Sequence, residues 1–280
     1  MRNLTMLTDL YELTMMYGYY KCGMSNKRVT FDMFYRSKGE STQYAVMAGL
    51  EQLMEYIDNL HFSDTDLQYL RSLGHFDEDF LDMLKTFRFT GDIQAVPEGT
   101  IVFSQEPLIR VTAPILEAQF IETALLTIIN HQMLIATKAS RVVMAAQEDN
   151  VLEFGLRRAQ GPDAGLYGSR AAMIGGCSCT SNVLSGEMFG VQAVGTHAHS
   201  WVMSFPTELD AFRKYAEIFP GNCMLLVDTY DVLKSGVPNA ITVFRELREK
   251  GYEPRGIRLD SGDLAYLSRE VRKMLDEAGF

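Results

Sequence analysis

The sequence predicts an α/β protein in two parts, an N-terminal α+β domain followed by an α/β sheet or an incomplete β/α-barrel. Three observations carry that reading. Short apolar runs at 151–154, 191–194, 224–227 and 256–259 alternate with helical stretches. Such alternation means parallel strands joined by helical crossovers. Each run gives way to chemically capable residues, as in barrels whose reactive groups gather at one end of the strands. Residues 1–113 show neither feature and mix helical with strand periodicities. The expected organisation is 1–113 as the α+β domain, 114–146 as a linking helix and 147–280 as the barrel domain. The barrel is incomplete at its C-terminal end, since four units are visible where a full barrel has eight.

Along the first part, Met6, Leu10, Leu13 and Tyr17 recur at helical spacing after Thr5, and Gly23 ends the run. Residues 29–36 alternate as a strand. Helices are predicted over 48–60, 64–73 and 77–87, with Ser63 as an N-cap. Short strands rich in Val, Ile and Phe follow, broken by Gly91, 97–99 and 106–107. The stretch 114–146 reads as one long helix.

Composition narrows the function classes. The chain has 280 residues, 47% hydrophobic, and a net charge of −10. That balance argues against a nucleic-acid partner, which needs a basic face. It leaves room for small anionic substrates held by local arginines, and Arg157, Arg158, Arg170 and Arg258 are candidates. No apolar run reaches the ~18 residues of a membrane span, and the longest, 124–136, is interrupted by Asn130, His131 and Gln132. The N-terminus lacks a signal-peptide pattern. The four cysteines form neither a Cys-x-x-Cys pair nor a disulfide framework. A soluble cytoplasmic protein with reduced thiols and no membrane partner is expected. The chain stops at Phe280 where a further strand is expected, and so reads as the N-terminal portion of a longer protein.

The strand ends carry the chemistry. The first continues Glu153-Phe154-Gly155-Leu156-Arg157-Arg158, where arginine forks suit carboxylate or phosphate. Adjacent arginines alone also read as surface ion pairs. The second holds Thr196, His197 and His199. Residues two apart on a strand share a face, and histidine serves as acid, base or nucleophile near neutral pH. A His-x-His pair also suggests zinc, although no histidine follows His199 to complete a site. The third, Asp228-Thr229-Tyr230-Asp231, offers carboxylates for Mg²⁺ or for substrate hydroxyls, or else an Asp-rich cap. The fourth sets Arg258 and Asp260 on one face before Ser261-Gly262-Asp263, fit for an anionic ring or a sugar phosphate. Gathered at one edge of one sheet, the four ends are expected to form a single site. No phosphate loop, dinucleotide fingerprint or nucleophile elbow is present.

These segments, with Thr8-Asp9-Leu10-Tyr11-Glu12-Leu13-Thr14-Met15, resemble the nicotinate phosphoribosyltransferases of the type II phosphoribosyltransferase kind. The matching segments are Glu153 to Asp163, Gly195 to Ser200, Val227 to Asp231 and Ile257 to Leu264. The resemblance covers essentially the whole chain. It implies an irregular α/β barrel beside an α+β domain and a homodimer. It further implies an ATP-coupled reaction of nicotinate with phosphoribosyl pyrophosphate, giving nicotinate mononucleotide and pyrophosphate in NAD biosynthesis. By position, His199 resembles the histidine that ATP phosphorylates, while His197 occupies a variable place without a catalytic role. Thr196 and Arg258 match residues holding nicotinate, the guanidinium facing the ring carboxylate. Tyr11 resembles the tyrosine that covers the ring from across the dimer, and Phe154 stacks on its other side. Arg157 fits the diphosphate or the nicotinate carboxylate, and Asp260 fits the ribose hydroxyls or the charge developing at the anomeric carbon. Mg²⁺ is expected with the diphosphate, with Asp228 a candidate ligand. The ribose-phosphate loop of the family falls beyond the segments present. Three other readings stand beside this one: a nicotinamide- or quinolinate-specific relative, a non-catalytic fragment of the enzyme, and a metal-dependent barrel hydrolase.

Overall fold

A computed structural model describes residues 3–37 and 43–280. The elements of the first 120 residues are α1 (Leu10–Lys21), β1 (Arg28–Phe34), β2 (Tyr44–Val46), α2 (Leu50–Asp58), α3 (Asp64–Ser72), α4 (Glu78–Lys85), β3 (Asp92–Ala95), β4 (Ile101–Phe103), β5 (Pro107–Pro114) and α5 (Ile115–Phe120). Then come α6 (Glu122–Ala146), β6 (Leu152–Glu153), α7 (Pro162–Ile174), β7 (Cys179–Thr180) and α8 (Val183–Phe189). The last are α9 (His199–Met203), α10 (Glu208–Ile218), β8 (Met224–Leu226), α11 (Val237–Glu249), β9 (Gly256–Arg258) and α12 (Leu264–Glu277). Two compact units result, Met1–Val194 and Gly195–Phe280.

In the first unit β5 is the centre of an antiparallel sheet in the order β1-β5-β3, and β2 pairs with β4. Three helix starts are capped by side chains. Ser63 and Asp66 close a capping box on α3, the Asp77 carboxylate accepts the Phe80 N–H on α4, and Glu98 accepts the N–H groups of Gly49 and Leu50 ahead of α2. Arg170 on α7 grips that same Glu98 with both ends of its guanidinium, at 2.7 and 2.9 Å, and also pairs with Glu51. Arg170 is therefore a structural clamp joining α2 to α7, and its donors are spent there. Phe80, Phe120, Leu53, Leu81, Leu84 and Met47 lie in the buried core of this unit.

Three expectations are corrected. The stretch 114–146 is two helices broken at Ile121 after a strand that runs to Pro114. The run 191–194 is not a strand. Only Ala193 bridges, in parallel, to Thr180, because β7 is two residues long and turns at once into the Asn182 cap of α8. The four strand ends also do not share one sheet. β6 pairs with β7 and β8 with β9, each pair parallel, and no closed sheet occurs among the described residues. The parallel pairing does agree with βαβ construction.

In the second unit β8 is buried throughout its last two residues, continuing into Val227, and α10, α11 and α12 surround it with Phe212, Ala240, Val243, Phe244 and Val271. Gly236 allows the chain before α11 to pass against β8, since a Cβ there would stand 1.9 Å from the Val227 carbonyl oxygen.

Candidate functional site

The second unit brings together six residues singled out from sequence. Thr196 and His197 precede α9, and His199 is its first residue. Asp228 follows β8, while Arg258 ends β9 with Asp260 and Ser261 just beyond. Asp228 is the hub, its side chain only 1% exposed. One carboxylate oxygen lies 3.0 Å from His199 Nε2. The other accepts the Asp260 backbone N–H at 2.8 Å and the Ser261 hydroxyl at 2.7 Å. Burial alone would raise this carboxyl, but the Ser261, Asp260 and His199 donors outweigh it and hold the carboxyl below its ordinary value. An anionic acceptor at His199 Nε2 places the imidazole proton on that nitrogen and leaves the Nδ1 lone pair as the nucleophilic position.

Arg258 is held from two sides. It donates to the Thr196 hydroxyl at 3.0 Å and to the Asp260 carboxylate at 2.8 Å. Thr196 in turn donates to the His197 carbonyl at 3.1 Å. The guanidinium is thus fixed in orientation, half-buried at 23% exposure, and suited to a planar carboxylate. His197 is buried and packs edge-on against Tyr215, with ring centroids 4.7 Å apart. Its Nε2 accepts the Leu226 N–H at 3.2 Å, so its proton is on Nδ1, facing the Ala198 carbonyl. Burial pushes this imidazole below its ordinary range. It supports the loop from beneath and uses the edge of β8 that β9 leaves unpaired.

In the first unit Phe154 and Arg157 follow β6, Phe154 half-buried and Arg157 exposed in a 3-10 turn at Leu156–Arg158. Tyr11 lies in the first turn of α1, 47% exposed. Sequence reasoning passed over Ser261 as a binding partner, and Thr180, Ser169 and Asn182 around Glu153. Ser261 was legible as a small polar residue beside Asp260. The polar group around Glu153 had no periodicity to betray it. A cavity of about 740 Å³ also opens in this unit, lined by β1 and by α6 residues such as Leu125 and Asn130, and none of the candidate site residues lines it.

The model of the nicotinate phosphoribosyltransferase (NAPRTase) N-terminal domain matches residues 6–130. The chain is 50% identical over 278 residues to a nicotinate phosphoribosyltransferase of Bacillus subtilis (strain 168), spanning 99% of this chain and 56% of that protein. It superposes on the crystal structure of human nicotinic acid phosphoribosyltransferase with a TM-score of 0.90 at 34% identity, covering 97% of this chain and 64% of the human one. Over nearly its whole length the chain is similar to the nicotinate phosphoribosyltransferase family. A nicotinate-nucleotide pyrophosphorylase from Pyrococcus furiosus is also similar, with a TM-score of 0.78 and 25% identity over 99% of this chain and 64% of that one. The mixed α/β fold of the nicotinate phosphoribosyltransferases is therefore present here, in a chain spanning little more than half of the Bacillus relative.

Among the described residues no group of three His, Cys, Asp or Glu side chains is placed to cage a metal. The two Asp228 oxygens accept three donors between them, so in this arrangement the carboxylate orients its neighbours. No helix among the described residues is long and apolar enough to cross a membrane.

Proposed function

We propose that this chain carries the nicotinate-recognising and ATP-responsive part of a nicotinate phosphoribosyltransferase. The reaction joins nicotinate to phosphoribosyl pyrophosphate, giving nicotinate mononucleotide and pyrophosphate for NAD biosynthesis. The observation that carries the reading is the Asp228 hub, one buried carboxylate that holds a histidine nucleophile and the Asp260–Ser261 turn together. On this reading β6–β7 and β8–β9 are parts of the family's β/α-barrel.

In the transfer step the pyridine nitrogen donates its lone pair to the anomeric carbon while the carbon–oxygen bond to diphosphate breaks, and pyrophosphate leaves with that electron pair. The transition state carries positive charge on the sugar. Asp260 stands beside it to meet that charge or the ribose hydroxyls. Arg258, fixed by Thr196, takes the nicotinate carboxylate, which separates nicotinate from the uncharged amide of nicotinamide. Phe154 and Tyr11 are read as ring-stacking residues and Arg157 as a ligand of diphosphate or carboxylate. Holding the two reactants in line supplies the main rate gain.

ATP enters as co-substrate. Its γ-phosphoryl passes to His199 Nδ1, ADP leaves, and water later hydrolyses the phosphohistidine. The added negative charge lies one hydrogen bond from Asp228, so phosphorylation bears on the Asp260–Ser261 turn through that shared carboxylate. Mg²⁺ fits the donor set only as an ion carried chiefly by substrate phosphate oxygens, as is usual for this cation. Bound there, it would neutralise the leaving diphosphate. The same reading carries a homodimer and a cytoplasmic place of action. Its test is His199→Ala, expected to abolish stimulation by ATP and to leave a slow ATP-independent reaction. Full stimulation in that variant would remove His199 from the ATP step.

A further inference from the structure

At the end of β6 the Glu153 carboxylate joins four segments. One oxygen accepts the hydroxyls of Thr180 on β7 at 2.6 Å and Ser169 on α7 at 2.8 Å. The other accepts the Gly155 N–H at 2.5 Å, at the start of the turn that carries Arg157. Thr180 and Ser169 are buried, at 0% and 1% exposure. Asn182 reinforces them, its backbone N–H donating to Thr180 Oγ1 at 3.0 Å and its side chain to Ser169 Oγ at 3.4 Å. A carboxylate has only acceptors, and three donors from a strand, a helix and a turn converge on this one.

A second observation stands apart from the hydrogen bonds. A Cβ added to Gly155 would lie 2.9 Å from Glu153 Oε1. Gly155 has φ −85°, a backbone that any residue adopts, so a side chain there would meet opposition from the carboxylate, which would have to shift, and not from the chain conformation. Carboxylate and turn are fitted to each other.

We infer that Glu153 is a positioning residue that fixes the Phe154–Arg158 turn, and through it the angle at which Phe154 and Arg157 meet an anionic aromatic acid or a diphosphate. This rests on the substrate reading of Phe154 and Arg157 proposed above. The framework side of the latch, Thr180 and Ser169, is buried, and the turn meets the carboxylate through the Gly155 N–H. Removing the latch is expected to loosen the turn, which keeps its own backbone hydrogen bonds, while β6–β7 pairing and α7 persist.

The test pairs hydrogen exchange with steady-state kinetics for Glu153→Ala and Gly155→Ala, using nicotinate and phosphoribosyl pyrophosphate. Gly155→Ala displaces the turn and leaves the Thr180 and Ser169 hydroxyls on the carboxylate, so it serves even if Glu153→Ala fails to fold. Both variants are expected to exchange amides 155–158 faster than wild type while α7 stays protected. They should raise KM for nicotinate or phosphoribosyl pyrophosphate about tenfold, the scale of one lost hydrogen bond to a charged group, with kcat nearly unchanged. Unchanged exchange in the turn overturns the latch. Faster exchange with an unchanged KM overturns its link to substrate. A wild-type protein making no product from these substrates counts against the substrate reading instead, while exchange still decides the latch.

Discussion

Replacing Asp228 by asparagine isolates the histidine arm of the hub. The oxygen facing Asp260 N–H and the Ser261 hydroxyl must remain an oxygen, since a backbone N–H cannot reverse its role. The new amide NH₂ therefore faces His199 Nε2, where the carboxylate stood 3.0 Å away. Two donors then meet. The imidazole relieves the clash by moving its proton to Nδ1, which removes the lone pair proposed to accept the phosphoryl group. A hydrogen bond to a charged partner is worth about 1.5–3 kcal/mol, so phosphohistidine formation should slow about 10- to 150-fold. The Asp260–Ser261 turn keeps its acceptor, and product formation without ATP should stay within about threefold of wild type. The assay is label transfer from γ-labelled ATP to protein, beside product formation with and without ATP. Labelling of Asp228→Asn at the wild-type rate would refute the orientation of His199 argued here.

Two further outcomes follow from the same unit. Arg258→Leu removes the cation held between Thr196 and Asp260, and should raise KM for nicotinate about 10- to 100-fold with little change for nicotinamide, read by initial rates on both. His197→Leu leaves the buried Leu226 N–H without an acceptor and should cost about 1–3 kcal/mol in urea unfolding, while His197→Gln, whose oxygen reaches the same place, should recover much of it. The folded-state pKa of His197 is depressed, so the unfolded chain binds more protons as pH falls. Its stabilisation is present above the ordinary imidazole value of about 6.5 and is lost as pH drops through the folded value. His197→Gln should flatten that acid-side loss, and identical pH dependence in wild type and variant would contradict it.

Helix starts were legible because their chemistry is local: Ser63 with Asp66 declares a cap without help from the rest of the chain. The short parallel strands were less so. Cys179–Thr180 has neither length nor alternation, and becomes a strand only because Glu153 and Leu152 lie beside it. The run 191–194 has strand-like residues but only Thr180 to pair with. Of the candidate site, the residue types at the strand ends were readable from sequence, and so was the placing of Arg258 and Asp260 on one face, though not the ion pair they form. Which neighbours Asp228 would hold was not, since its three donors come from positions 29 to 33 residues away. Arg170 shows the opposite failure. An arginine that could meet an anionic substrate is spent on Glu98 and Glu51, and only tertiary contacts reveal that.

The most direct measurement mixes the purified protein with nicotinate, phosphoribosyl pyrophosphate and Mg²⁺, with and without ATP, and quantifies nicotinate mononucleotide and pyrophosphate. Equal amounts of both products, formed faster with ATP and far more slowly when nicotinamide replaces nicotinate, are predicted. Folded protein that yields neither product, or that uses nicotinamide equally well, would contradict the account.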